Sequence, residues 1–280
     1  MRVSQATMGA APLPRQAGGD AGERSAVTVS VVIPTLNEAA NLPHVLTRIP
    51  EIVDEVVIVD GHSIDDTIAV ARAVQPHARV ILQDGRGKGN ALACGFAVAS
   101  GDIIVMLDAD ASTDPAEIPN FVSALLAGSD FAKGSRFATG GSSADLTTVR
   151  AFGNRVLGRS VNLLFRTRYT DLCYGYNAFW RHCLPYMNVN CDGFEVETQM
   201  AIRIARAGLV VTEVASVEHE RLYGESKLNA ARDGTRVLRT ILRERLRRTA
   251  SAQHVGDWSP AYRELPRPST LAASPQPPGG

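Results

Sequence analysis

Four short β-branched runs alternate with helical patterns through the first half of the chain, and this alternation restricts the fold more than any other feature. The runs are Val29–Ile33, Val56–Val59, Arg79–Leu82 and Ile103–Leu107. They are apolar at consecutive positions rather than at every second one, which marks strands buried on both faces. Between and after them, Asn41-Leu42-Pro43, Asp65-Asp66-Thr67 and Asp114-Pro115 read as helix starts. Each puts an Asx residue at the cap, two of them with proline entering the first turn. Strand, helix, strand, helix in that order predicts an α/β fold with right-handed crossovers. Its central, mostly parallel sheet is flanked by helices. Ligands of such sheets bind outside the C-terminal strand ends.

The pattern is confined to one segment. Residues 1–26 are rich in Ala, Gly and Pro without a period and are expected to form a disordered tail. A second disordered tail is expected over 251–280, which carries Pro260, Pro266, Pro268, Pro275, Pro277 and Pro278. Residues 27–250 then make one domain of ordinary size. Lys plus Arg and Asp plus Glu both number 29, so no bulk attraction to nucleic acid is expected. Cys94, Cys173, Cys183 and Cys191 form no CxxC pair, which suggests neither a zinc site nor a disulfide framework. No apolar run reaches the roughly 18 residues of a membrane span, and no signal-peptide core is present. A cytoplasmic location is the expectation.

Each strand end carries chemistry. Pro34-Thr35-Leu36-Asn37-Glu38 follows the first run and Asp60-Gly61-His62-Ser63 the second. Gly85-Arg86-Gly87-Lys88-Gly89 follows the third and Asp108-Ala109-Asp110 the fourth. Carboxylates two apart in an extended segment face the same way. Two such oxygen donors suit Mg²⁺ or Mn²⁺, with a substrate diphosphate completing the shell. The Gly85–Gly89 segment matches neither G-x-x-x-x-G-K-[ST] nor G-x-G-x-x-G. It is either a solvated loop or a phosphate contact made by backbone amides and Lys88. Asp60 is either a turn acid or a partner for a ribose hydroxyl or base edge.

Taken in order, seven elements resemble family 2 inverting glycosyltransferases of the GT-A type. They are Val31–Glu38; Val59-Asp60 with Ser63, Asp65 and Thr67; Gly87–Ala91; Met106–Asp110; Gly134-Ser135-Arg136; Asp171 with Gly175; and Arg221–Leu228. Within that family the chain is most similar to dolichol- and polyprenyl-phosphate mannosyltransferase-like enzymes, from about Val27 to Arg248. The resemblance implies a GT-A nucleotide-diphosphosugar transferase fold. It also implies transfer of a hexose from a GDP-mannose- or UDP-glucose-type donor to a polyprenyl phosphate. Pro34, Asn37, Glu38 and Asp60 are expected to line the donor pocket, with Lys88 beside it. Asp108 and Asp110 are expected to bind the metal and the donor diphosphate. Arg136, Arg221, Ser226 and Lys227 are expected to hold phosphate oxygens; Arg221 and Lys227 read equally as solvated basic surface.

Inverting transfer is one in-line displacement, and an anionic phosphate acceptor needs no base whereas a hydroxyl does. Glu195 and Glu197 are the candidate bases; they also fit as acids in the first turn of a helix. Two other functions stay open: the same donor chemistry on a soluble hydroxyl acceptor (a saccharide or secondary metabolite), and a non-catalytic nucleotide-sugar-binding module. Between Leu228 and Arg248, Val237, Leu238, Ile241, Leu242 and Leu246 recur at helical spacing, with Arg236, Arg239, Arg243, Arg247 and Arg248 largely off that stripe. Such a helix packs on the domain or makes peripheral contact with the cytoplasmic face of a membrane.

Overall fold

A computed structural model describes residues 27–225, 228–247 and 262–265. The four runs form β1 (Val29–Thr35), β2 (Glu55–Asp60), β3 (Arg79–Gln83) and β4 (Ile103–Met106). They pair in parallel in the order β3-β2-β1-β4. Three further strands extend the sheet beyond β4: β5 (Phe131–Ser135), β7 (Asn177–Trp180) and β8 (Val211–Ala215). β7 runs antiparallel between β4 and β5, and β8 runs parallel to β5. Short strands β6 (Ser142–Ser143) and β9 (Val217–Glu218) pair separately.

Consecutive residues of β1 feed opposite layers, as a doubly covered strand requires. Val31 and Ile33 pack with α1 (Leu42–Leu46), α2 (Thr67–Val74) and α4 (Ile118–Leu126). Val32 packs with α3 (Gly87–Val98), α6 (Leu184–Met187) and α7 (Val196–Arg206). Outside α7, α5 (Thr148–Phe165) and α8 (Ala230–Leu246) form a smaller core around Val161, Ile202, Val237 and Ile241.

One helix start differs from expectation. Asn41 makes no capping bond; its amide is taken by Glu38 and Tyr223 instead. At α2, Asp65 rather than Asp66 receives the Thr67 backbone N–H, at 3.1 Å. Asp114 caps as expected, accepting from the Ala116 N–H at 2.9 Å. The tail expected over 251–280 is corrected at one place. Tyr262–Glu264 form β10, antiparallel to β3, where Glu264 meets the Arg79 guanidinium at 2.9 Å. A proline-rich stretch can still supply three extended residues to a sheet edge. The rest of that stretch, and residues 1–26, lie outside the described residues.

Candidate active site

β4 stops at Met106, and a turn carrying Ala111 at φ 61° follows it. Asp108 and Asp110 therefore enter one cavity from a turn, not from an extended strand. Lys88, in the first turn of α3, places its ammonium 2.7 Å from Asp108 Oδ1 and 2.8 Å from Glu197 Oε1. Asp110 Oδ1 accepts from the Ser112 hydroxyl at 2.7 Å, and its Oδ2 accepts from Arg221 Nη2 at 2.7 Å. The other end of that guanidinium reaches Glu38 Oε1 at 3.3 Å. Asn41 exchanges hydrogen bonds with the backbone of Tyr223, which ties the Arg221 loop to the β1–α1 connection.

Burial works against the charge on Lys88, but Asp108 and Glu197 outweigh it and raise its pKa above the ordinary lysine value. Burial likewise raises the pKa of Glu197, against the pull of Lys88. Each member of the Asp108/Asp110 pair thus already neutralises a cation. Among the described residues no cluster of three or more His, Cys, Asp or Glu side chains could hold a metal by itself. Two carboxylates in a cleft suit Mg²⁺ or Mn²⁺ bound jointly with substrate phosphates, the ordinary habit of these ions. That the pair holds Lys88 and Arg221 in close contact shows it stabilises positive charge, so the residues fit such an ion.

Glycines make this arrangement possible. A Cβ on Gly175 would lie 2.6 Å from Asp108 Oδ2 and 2.7 Å from Lys88 Nζ. A Cβ on Gly89 would lie 2.2 Å from the Cys191 carbonyl oxygen, and the Gly89 N–H already donates to the Asp192 carbonyl at 2.9 Å. Within Gly85–Gly89, Arg86 and Gly87 are exposed whereas Gly89 is buried, with its N–H already spent. The segment's glycines let the start of α3 pack against 191–193, which delivers Lys88 to Asp108 and Glu197.

Arg136 directly follows β5 and sits in a buried cluster. Its Nε and Nη2 donate to Asp171 at 2.7 and 3.0 Å, and its Nη1 donates to Glu218 at 3.0 Å. The Tyr174 ring centroid lies 4.8 Å from its Cζ. Arg136 lines the cavity, yet three of its five N–H donors are spent on carboxylates. Lys133, on the same strand, is fully buried, and its ammonium has no hydrogen-bond partner among the described residues. Burial lowers its pKa despite Asp171 and Glu213 nearby.

The cavity of about 1100 Å³ begins at Pro34, Leu36, His62, Gln83 and Arg86. It passes Glu38, Lys88, the two aspartates, Arg221 and Glu197, then runs between α5 and α8. That far end is apolar, with Leu146, Val149, Phe152, Leu157 and Val237, and is edged by Arg150, Arg232 and Arg236.

Three expected residues stand apart. Asp60 is fully buried, its carboxylate consumed by the Ser63 N–H at 2.9 Å and hydroxyl at 2.6 Å, so it shapes the turn below the cavity. Asn37, at φ 57°, accepts from the Ile64 N–H at 2.9 Å and does not line the cavity. Glu195 sits behind Gly193, accepting its N–H at 3.3 Å, and does not line the cavity either. Ser226 and Lys227 lie outside the described residues. Asn154, Tyr174, Glu218, Arg232 and the α5 apolar residues are additions from the structure. The buried polar Asn154 inside α5, which donates to Asp171 at 3.1 Å, carried no motif that could have disclosed it.

A mostly parallel sheet with a carboxylate pair after one strand and a long cleft across the C-terminal ends of its strands has the architecture of a glycosyltransferase of GT-A type. Residues 30–184 match the family described as Glycosyl transferase family 2, and the chain belongs to that family. It is a hexosyltransferase by that membership and by its relatives. It is 31% identical over 211 residues to glycosyltransferase AglJ of Haloferax volcanii, covering 74% of this chain and 68% of that one. It is 32% identical over 210 residues to a dolichol-phosphate mannosyltransferase of Pyrococcus furiosus, covering 71% of this chain but 59% of that one. An undecaprenyl-phosphate mannosyltransferase of Micrococcus luteus is 31% identical over 222 residues, covering 75% and 91%. The fold is also that of glucosyl-3-phosphoglycerate synthase from Mycobacterium tuberculosis, solved with Mn²⁺, UDP-glucose and phosphoglyceric acid. There the TM-score is 0.65 at 26% identity, covering 79% and 81% of the two chains.

Proposed function

We propose that the enzyme transfers a hexose from a nucleotide sugar to a polyprenyl phosphate with inversion, assisted by a divalent cation. The observation that carries this reading is the shape of the cavity. It joins the Asp108/Asp110 pair to an apolar channel between α5 and α8 whose edges hold Arg150, Arg232 and Arg236. An acceptor with an anionic head and a hydrocarbon chain fits that sequence of surfaces. The names of the Pyrococcus and Micrococcus relatives point the same way.

The donor nucleotide lies at the Pro34, Leu36 and Gln83 end, with its diphosphate toward Asp108 and Asp110. These two residues would hold Mg²⁺ or Mn²⁺, which when bound offsets charge building on the leaving diphosphate. Arg221 and Lys88, released from the aspartates, are in reach of phosphate oxygens. Lys88 remains positioned by Glu197, so Glu197 orients a cation rather than acting as a base. The phosphate acceptor attacks as an anion without proton removal. The cavity's carboxylates agree with this. Asp145, Glu197, Glu218 and Asp233 are each ion-paired. Asp192 alone among the lining acids has no ion pair among the described residues. It is the candidate base in the alternative reading, transfer to a soluble hydroxyl compound, which the phosphoglyceric acid complex of the structural relative favours.

The test is incubation with Mg²⁺, labelled GDP-mannose or UDP-glucose, and a short polyprenyl phosphate. Label entering the organic phase with one donor is expected. Donor turnover that requires a soluble hydroxyl acceptor and leaves the lipid unlabelled would overturn the reading.

A further inference from the structure

We propose that Asp192 is a specificity-determining residue that binds hydroxyls of the donor hexose, with the Phe194 ring beside it. The proposal rests on the donor reading above and adds to it the contact that reads the sugar.

Position is the first ground. The Asp192 carbonyl accepts the Gly89 N–H at 2.9 Å, in the first turn of α3 that also carries Lys88. The Phe194 ring centroid lies 6.0 Å from the Lys88 ammonium. On the other side, a Cβ on Gly193 would lie 2.7 Å from Arg236 Nη1 of α8. Residues 192–194 thus run from the Lys88–Asp108 pair, the proposed diphosphate end, to the arginine edge of the apolar channel. In an in-line displacement the transferred sugar lies between leaving group and nucleophile. That places the sugar against this segment.

The segment is held from behind. Asn190 and Gln199 exchange two hydrogen bonds, each of 3.0 Å, and Arg203 Nη2 donates to Asn190 Oδ1 at 3.0 Å. Glu195 accepts the Gly193 N–H at 3.3 Å, which gives this acid its role outside the cavity. The Asp192 side chain takes no part in these bonds. It is exposed, lines the cavity, and has neither a hydrogen bond nor an ion pair among the described residues. A fixed backbone that turns one carboxylate and one aromatic ring into a cleft is preorganised for a ligand.

Chemistry selects the ligand. An ionised carboxylate only accepts hydrogen bonds, and it repels phosphate. Neither the leaving diphosphate nor an acceptor phosphate is therefore its partner. The hydroxyls of a hexose are neutral donors, and the two oxygens of one carboxylate can receive a pair of them from adjacent carbons. The apolar body of Phe194 suits the C–H face of the same sugar ring.

The experiment is calorimetric titration of the full chain, with Mn²⁺ present, by UDP, UDP-glucose, GDP and GDP-mannose. Asp192→Ala should weaken the nucleotide sugar that binds by about tenfold to a hundredfold and shift its bare nucleoside diphosphate by no more than about twofold. Asp192→Asn keeps a carbonyl acceptor in place and should lose less, about threefold to tenfold. Neither variant should move the melting temperature, since the carboxylate holds nothing in the fold. Equal weakening of sugar nucleotide and bare nucleotide, or no weakening of either, would overturn the proposal. So would unchanged binding of the nucleotide sugar with turnover lost together with the acid limb of its pH profile, which would make Asp192 the base of the hydroxyl-acceptor reading. Failure of all four ligands to bind the wild-type chain would remove the donor reading, and this assignment with it. Selective loss of sugar binding in the variants, without lipid glycosylation by the wild type, would leave the assignment standing and remove the acceptor reading alone.

Discussion

Gly175→Ala tests the core of the site with one methyl group. The added Cβ would stand 2.6 Å from Asp108 Oδ2 and 2.7 Å from Lys88 Nζ. Ordinary contact begins near 3.4 Å, so the carboxylate must retreat by about 0.8 Å. Both atoms end flexible side chains, so the fold accommodates the change at a cost of about 1 kcal/mol. Catalysis does not, because a displacement approaching 1 Å in a positioned group costs about a hundredfold, or about 2.7 kcal/mol of transition-state stabilisation. The assay is kcat/KM with the working donor, alongside Mn²⁺ affinity by calorimetry and a melting curve. Both kcat/KM and Mn²⁺ affinity should fall while melting moves by only a few degrees, roughly 2–4 °C. Gly158→Ala is the control, since its nearest neighbour outside its own helix is Leu172 Cβ at 3.9 Å. It should keep activity and gain about 0.5–1 kcal/mol from helix propensity. A Gly175→Ala enzyme within about threefold of wild type, with metal affinity intact, would refute the claim that the Lys88–Asp108 geometry matters.

Asp110→Ala should reduce transfer by at least about a hundredfold without unfolding the chain, and EDTA should do the same reversibly on adding Mg²⁺ or Mn²⁺; full turnover after exhaustive chelation would contradict both. Arg136→Met leaves Asp171 buried at 0% exposure without its main counter-charge, so urea melts should show a loss of about 3–5 kcal/mol. A loss near zero would mean the cluster relaxes into water. Lys133 has its folded pKa below the ordinary 10.5, so the folded state releases its proton before the unfolded chain does. Stability should rise with pH from the folded pKa up to about 10.5 and level off above it. Lys133→Met should flatten that rise and add about 1 kcal/mol or more at neutral pH; an unchanged difference between pH 7 and 10 would argue against a buried charged amine.

The features legible from the residues are those that depend on neighbours along the chain. Four runs apolar on both faces required a covered parallel sheet, and strand order put Pro34, Glu38, Lys88, Asp108 and Asp110 at one rim. Ordered motifs were enough to identify the family. The sequence left the roles of single polar residues open, because the partner that settles each one is distant in the chain. Asp60 at a strand end reads alike whether it meets a ligand or Ser63. Arg136 reads as a phosphate ligand until Asp171 and Glu218 arrive from elsewhere to occupy it. Glu195 and Glu197 are two residues apart, yet helix geometry turns one behind Gly193 and the other onto Lys88. The edge strand at Tyr262–Glu264 was invisible for the same reason, since three residues become a strand only where β3 offers an unpaired edge. Tertiary structure alone decided these points, because burial and hydrogen-bond saturation are properties of the folded neighbourhood and not of residue type.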